Sequence, residues 1–150
     1  MKVVIQRVSK ASVSINGEVV ASISKGLLIL LGIVEEDTQE DSEWLCNKIA
    51  NLRIFPDENG VMNKSIVASN GEIIVVSQFT LHASTKKGNR PSYIKAAKPE
   101  VAIPLYMSFV NTLENITSTK VQTGEFGAMM NVALINDGPV TIIIDTKNKE

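Results

Sequence analysis

Three stretches of this chain gather hydroxyl, amide or charged side chains that a plain scaffold does not require. The first is Ser77-Gln78-Phe79-Thr80-Leu81, which closes the β-rich run Glu72–Leu81. Strand alternation sets Ile74, Val76, Gln78 and Thr80 on one face and Ile73, Val75, Ser77, Phe79 and Leu81 on the other. Both faces carry apolar side chains, so the spacing predicts a central strand whose polar groups need partners. Either those groups bond to neighbouring backbone, or they line a pocket at the strand end, where a hydroxyl and backbone N–H groups can act on a carbonyl. The second stretch is Thr85–Lys98, with Lys86, Lys87, Arg90, Lys95 and Lys98 and no acid. A charge run is by default a solvated face. Against a formal charge of −1 for the whole chain, however, it suits a phosphate-bearing partner, and Tyr93 can either stack on a base or close the edge of a core. The third is Asn136-Asp137-Gly138-Pro139-Val140-Thr141, which reads as a turn between strands. Its Gly-Pro bond is a place to suspect a cis peptide, although trans is the general expectation.

Composition excludes several classes. A single cysteine, Cys46, forbids an internal disulfide and fits a reducing cytoplasm; it reads as a small core residue rather than a reactive thiol. One histidine, His82, and that one cysteine cannot build a zinc site of the usual kinds, and a histidine-based triad could use only His82. The longest apolar run, residues 27–34, falls well short of the roughly 20 residues of a membrane span. The opening Met1-Lys2-Val3-Val4 has strand-like alternation, not the shape of a signal peptide. We therefore expect a cytoplasmic protein with no metal, no cofactor and no membrane partner.

The elements that must position these stretches form one unit over residues 1–146, with a short polar tail at 147–150. Alternation from Lys2 to Val20, interrupted by Asn16-Gly17, predicts a hairpin. Lys25-Gly26 turns the chain into Leu27–Val34, a strand apolar on both faces. A first helix begins near Asp37 or Thr38, with Glu40 or Asp41 as the acid of its first turn, and Leu45, Ile49 and Leu52 share one face. Pro56–Gly60 is a turn cluster. A second helix covers Glu100–Asn115, although Pro104 conflicts with a simple helix there. Two strands, roughly Met129–Ile135 and Val140–Asp145, end the chain. The fold class is α+β: one compact, mostly β domain with two covering helices.

In combination these motifs resemble the D-aminoacyl-tRNA deacylases of the D-tyrosyl-tRNA(Tyr) deacylase family, over nearly the whole length. The resemblance runs through Val4–Val8, Ala11-Ser12-Val13, Gly26-Leu27-Leu28, Lys48–Phe55 and Met62-Asn63. Its specific segments are Ser77–Leu81, Lys87-Gly88-Asn89-Arg90-Pro91-Ser92, Thr123-Gly124-Glu125-Phe126-Gly127-Ala128 and Asn136–Thr141. It implies a homodimer of a β-barrel-like domain that cleaves the ester joining a D-amino acid, or glycine, to the 3′ end of tRNA. It also implies a cis Gly138-Pro139 pair that enters the partner's site and rejects L side chains by a clash. Ser77, Gln78, Phe79 and Thr80 are the expected catalytic segment, while Asn136, Gly138, Pro139 and Met129 are expected to bind the substrate. Lys86, Lys87 and Arg90 are expected on acceptor-stem phosphates.

Backbone N–H groups near Phe79 and Thr80 are the candidate oxyanion donors. The resemblance supplies the missing base: the 2′-hydroxyl of the terminal ribose helps activate water, which leaves Thr80 to position rather than attack. Two residues depart from the family's habit. Relatives carry an aromatic or aliphatic residue at the place of His82, which stays outside the catalytic set, and Pro104 is unusual in the second helix. The competing class is a non-catalytic RNA-binding β domain. A nuclease of the phosphodiesterase type would need a metal cluster or a histidine pair.

Overall fold

The computed structural model describes all 150 residues. Strand β1 (Lys2–Ile15) turns at Asn16-Gly17, whose positive φ values of 51° and 81° are those of a tight hairpin, into β2 (Glu18–Ile23). Lys25-Gly26 does not reverse the chain. Strand β3 (Gly26–Gly32) continues along β1 in the register that β2 began, with Ala11 opposite Ile23 and Val8 opposite Gly26. The break between β2 and β3 is a bend, and it lets the sheet curl.

Helix α1 (Gln39–Asn51) and the short hairpin of β4 (Phe55–Pro56) and β5 (Met62–Lys64) follow. Strand β6 (Glu72–Ser77) then lies parallel to β3, buried on both faces as expected. After helix α2 (Pro99–Thr117), strand β7 (Val121–Thr123) pairs in parallel with β6. Between the curled β2 and β7, the Gln122 side chain accepts from the Ser22 N–H (2.9 Å) and donates to its carbonyl (2.8 Å). The result is a nearly closed, barrel-like sheet.

Two cores follow from the alternation. Val8, Ala11, Val13, Ala21, Ile23, Leu28, Ile74 and Val76 fill the barrel. Val3, Ile5, Leu27, Ile29, Leu31, Ile73 and Val75 face outward, where α1 covers them with Leu45, Cys46 and Ile49 and α2 with Tyr106, Phe109 and Leu113. Cys46 is fully buried, and burial pushes its thiol up to about 12.

Three more expectations change. Helix α2 is longer than predicted at both ends and contains Pro104; this residue lies on the exposed face, where water can take the Glu100 carbonyl that the proline leaves unbonded. The run to Leu81 stops as a strand at Ser77, because β3 ends at Gly32 and the ladder runs out. After Gln78 donates its N–H to Leu31 (2.7 Å), Phe79–His82 forms a 3₁₀ turn. The two final strands are a single strand, β8 (Asn131–Asp145), which follows β1 from Ser14 to Lys2, and Asn136–Pro139 is not a turn between them.

Of the two starts foreseen for α1, Thr38 is the cap. Its hydroxyl accepts from the Asp41 N–H while the Asp41 carboxylate accepts from the Thr38 N–H. Burial alone would raise the Asp41 carboxyl, but hydrogen bonds from Lys147 and Thr38 outweigh it and hold the group below its ordinary 3.8. Thr38→Ala should lower the unfolding free energy by about 1 kcal/mol in a urea titration. Because the folded-state pKa is depressed, the Asp41 contribution is complete above pH 3.8 and fades as pH falls toward the depressed value. The stability gap between the wild type and Asp41→Asn should therefore narrow steadily below pH 3.8, as read by acid titrations of both.

Candidate active site

The end of β6 opens into a pocket of about 320 Å³, set at the carboxyl ends of the parallel strands β3 and β6. Leu31, Ile33 and Val76 form its strand wall, Ser77, Gln78 and Phe79 its polar end, and Ala102, Phe126, Met129 and Met130 the opposite side. Helix α2 fixes the wall from behind. The Tyr106 hydroxyl donates to the Val75 carbonyl (2.9 Å), and its ring meets Phe126 edge-on at 5.8 Å. Burial raises the Tyr106 phenol to about 12, so it stays a donor at neutral pH.

The structure thus brings Ser77, Gln78, Phe79 and Met129 together. Thr80 stands one residue behind the lining, and its hydroxyl accepts from the Gln78 side-chain amide. That bond orients both side chains. As at the start of any helical turn, the first N–H groups of the 3₁₀ turn, those of Phe79 and Thr80, have no acceptor within it. The His82 ring packs against Gly32 with Nε2 enclosed and unpartnered, and it is not part of the lining.

Asn136, Gly138 and Pro139 are elsewhere in this chain. Between the Asn136–Val8 and Thr141–Gln6 pairs, β8 bulges out opposite the single residue Arg7. The Asn136 side chain closes the bulge, accepting from the Val140 N–H (2.8 Å) and donating to the Thr141 hydroxyl (3.0 Å). Arg7, nine-tenths buried, supports it from below: Nε donates to the Asp137 carbonyl (2.9 Å) and Nη1 to the Ile54 carbonyl (2.6 Å). The Gly138-Pro139 bond is cis. Gly138 has φ +137°, and a Cβ there would lie 2.9 Å from Val140 and 3.1 Å from the Arg7 guanidinium, so only glycine fits.

Asp137, Gly138 and Pro139 are exposed on the free edge of β8. Counting across β1 and β3 to Ser77, the bulge lies roughly 15–20 Å from the pocket, taking a strand rise of about 3.3 Å and a strand spacing of about 4.8 Å. The three loop cations, Lys86, Lys87 and Arg90, are exposed and belong to none of the ion pairs of the protein.

Sequence reasoning assigned no role to Arg7, Phe126 or Ala102. Arg7 and Phe126 lie inside segments that carried the resemblance, and that was the available signal. Nothing in the sequence marks Ala102 as a pocket residue, because its place depends on how α2 docks.

Fold and pocket together define a small α+β barrel domain with a cavity at the carboxyl ends of two parallel strands. Residues 4–145 match the family described as D-Tyr-tRNA(Tyr) deacylase, and the chain belongs to that family. It is 71% identical to a D-aminoacyl-tRNA deacylase of Flavobacterium psychrophilum and 68% identical to one of Bacteroides fragilis, over 150 residues and 100% of each chain. It superposes with a TM-score of 0.90 on a solved structure titled c-Myc DNA Unwinding Element Binding Protein, at 44% identity, covering 97% of this chain and 98% of that one. A structure titled as a probable eukaryotic D-amino acid tRNA deacylase shares the fold at 15% identity, with a TM-score of 0.82 and coverage of 95% and 97%.

Replacing Arg7 removes two charge-assisted bonds to carbonyls, the one to Ile54 buried and the one to Asp137 part-buried. Arg7→Ala should lower stability by about 2–3 kcal/mol in chemical denaturation. Arg7→Lys should recover only part of that, since an ammonium cannot reproduce the fork that spans Asp137 and Ile54.

Proposed function

We propose that this protein is a D-aminoacyl-tRNA deacylase: it hydrolyses the ester between a D-amino acid, or glycine mischarged on tRNA(Ala), and the terminal ribose of tRNA. The observation that carries this reading is the polar end of the pocket, where Ser77–Thr80 lie at the end of β6 in a chain of this family. The ester carbonyl accepts from the Phe79 and Thr80 N–H groups, which stabilise the oxyanion as water adds to the carbonyl carbon. The bond to the ribose 3′-oxygen then breaks and that oxygen takes up a proton, leaving free amino acid and tRNA. No side-chain base stands among the lining residues. As the resemblance to the family implies, the 2′-hydroxyl of the same ribose assists the water, and Thr80, engaged by Gln78, positions rather than attacks.

Chirality is read by exclusion. The Gly138-Pro139 bulge stands on an unpaired edge strand too far from its own pocket to wall it, and Ile135 and Ile143 on the same strand are 50% and 67% exposed. A second copy of the chain, docked along β8, brings its bulge to this pocket, with Gly138 and Pro139 closing off the L side-chain direction; Asn136 holds the bulge in shape. A backbone wall rejects by clash. Glycine has nothing to exclude and is cleaved as well. Lys86, Lys87 and Arg90 hold acceptor-stem phosphates, and the enzyme works in the cytoplasm, where tRNA is charged. No helix is long and apolar enough to cross a membrane.

Amino-acid release from matched D-, L- and glycyl-tRNA, with EDTA present, is the direct test. The D and glycyl esters should be cut and the L ester spared. Tight tRNA binding with no release would make the protein an RNA-binding domain, and equal cleavage of D and L would remove the Gly138-Pro139 wall. Thr80→Ala should retain turnover, and its complete loss with tRNA binding intact would make Thr80 the nucleophile. Neutralising Lys86, Lys87 and Arg90 together should flatten the slope of log affinity against log salt by roughly 2–3.

A further inference from the structure

Phe79 and Tyr93 are both large, partly exposed aromatic residues, at 55% and 40%, and neither belongs to a core cluster. They meet each other instead: their ring centroids are 5.1 Å apart and their planes 78° apart, an edge-to-face pair. The two rings come from the two functional halves of the site. Phe79 opens the 3₁₀ turn at the polar end of the pocket. Tyr93 is the first residue beyond the pin of the cationic loop, where Ser84 and Ser92 exchange backbone hydrogen bonds (2.8 and 2.9 Å) and close off residues 85–91 with Lys86, Lys87 and Arg90. The chain after Tyr93 is also anchored to the pocket. The Tyr93 carbonyl accepts from the Ala96 N–H (3.0 Å), and Ala97, a lining residue, donates to the Ile33 carbonyl (2.9 Å).

We propose that Tyr93 is a positioning residue: its ring links the cationic loop to Phe79, so that phosphate held by the loop steadies the 3₁₀ turn whose N–H groups face the scissile carbonyl. The inference rests on the deacylase reading and adds a dependence on the polynucleotide beyond the ester itself. The loop's cations have no acidic partner in the chain, so a bound polyanion adds a restraint that the chain itself does not supply. The aromatic contact passes that restraint to Phe79.

The test uses the full-length protein, with D-aminoacyl-tRNA and, in parallel, a D-aminoacyl-adenosine that lacks the acceptor stem. On the tRNA ester, Tyr93→Ala should lower kcat by about two- to tenfold, the range of an aromatic pair. KM and the affinity for uncharged tRNA should stay within about twofold. Tyr93→Phe, which keeps the ring, should restore the wild-type rate. In a Phe79→Leu background, Tyr93→Ala should have no further effect, the signature of a coupled pair. The minimal ester should be cut at the same rate by the wild type and Tyr93→Ala. Lost tRNA affinity with kcat intact, an equal loss on the minimal ester, or additive effects of the two substitutions would each overturn the proposal. A wild-type protein that releases no D-amino acid from either substrate would instead overturn the deacylase reading, before any variant enters.

Discussion

The architecture turns on a guanidinium buried where a sheet would ordinarily hold an aliphatic side chain. Arg7 sits on the helix-facing side of β1, in line with Val3 and Ile5, and its fork spends its donors on the carbonyls of Asp137 and Ile54. A charge in that position is tolerable because two carbonyls accept from it and the Asp137 carboxylate lies 3.5 Å from Nε. The same bonds allow β8 to leave the ladder opposite Arg7, make its cis Gly-Pro excursion and rejoin in register at Thr141. Everything that β8 presents at its free edge is therefore shaped from inside the sheet.

The pocket end obeys a different constraint. Strand β6 is buried on both faces through Val76, and its ladder ends with its partner β3. Beyond the ladder the backbone needs other bonds, and the 3₁₀ turn from Phe79 to His82 supplies some of them locally. Tyr106, bound to the Val75 carbonyl and packed on Phe126, makes α2 a fixed wall rather than a cover. The stiffness of both helices and of the barrel core is what gives these few polar groups a defined position.

Charge is distributed to match. A formal charge of −1 hides an uneven surface. Asp41, at the start of α1, is absorbed into the helix cap and a pair with Lys147, whereas the loop from Thr85 to Pro91 keeps its cations free. The tightly bonded acids serve the fold, and the unpaired cations are left for an anionic partner.

Much of this was legible in the chain. Apolar alternation identified the hairpin and the doubly buried strands, the Thr38–Asp41 pair marked one of two possible starts for α1, and the full set of motifs pointed to the family, because these are local patterns set by side-chain period and capping chemistry. What escaped was decided by contacts remote in sequence. Ser77–Leu81 could not be read as half strand and half turn without knowing that β3 ends at Gly32. Asn136–Pro139 looked like a turn because turn residues also suit a bulge, and only pairing with β1 on both sides of Arg7 distinguishes the two. Nor could spacing show that Phe79 meets Tyr93, or that Ala102 and Phe126 complete the pocket. Local pattern determined which elements form; the closing of the sheet and the docking of α2 decided which of their residues meet, because a tertiary contact depends on where strands end and how layers pack.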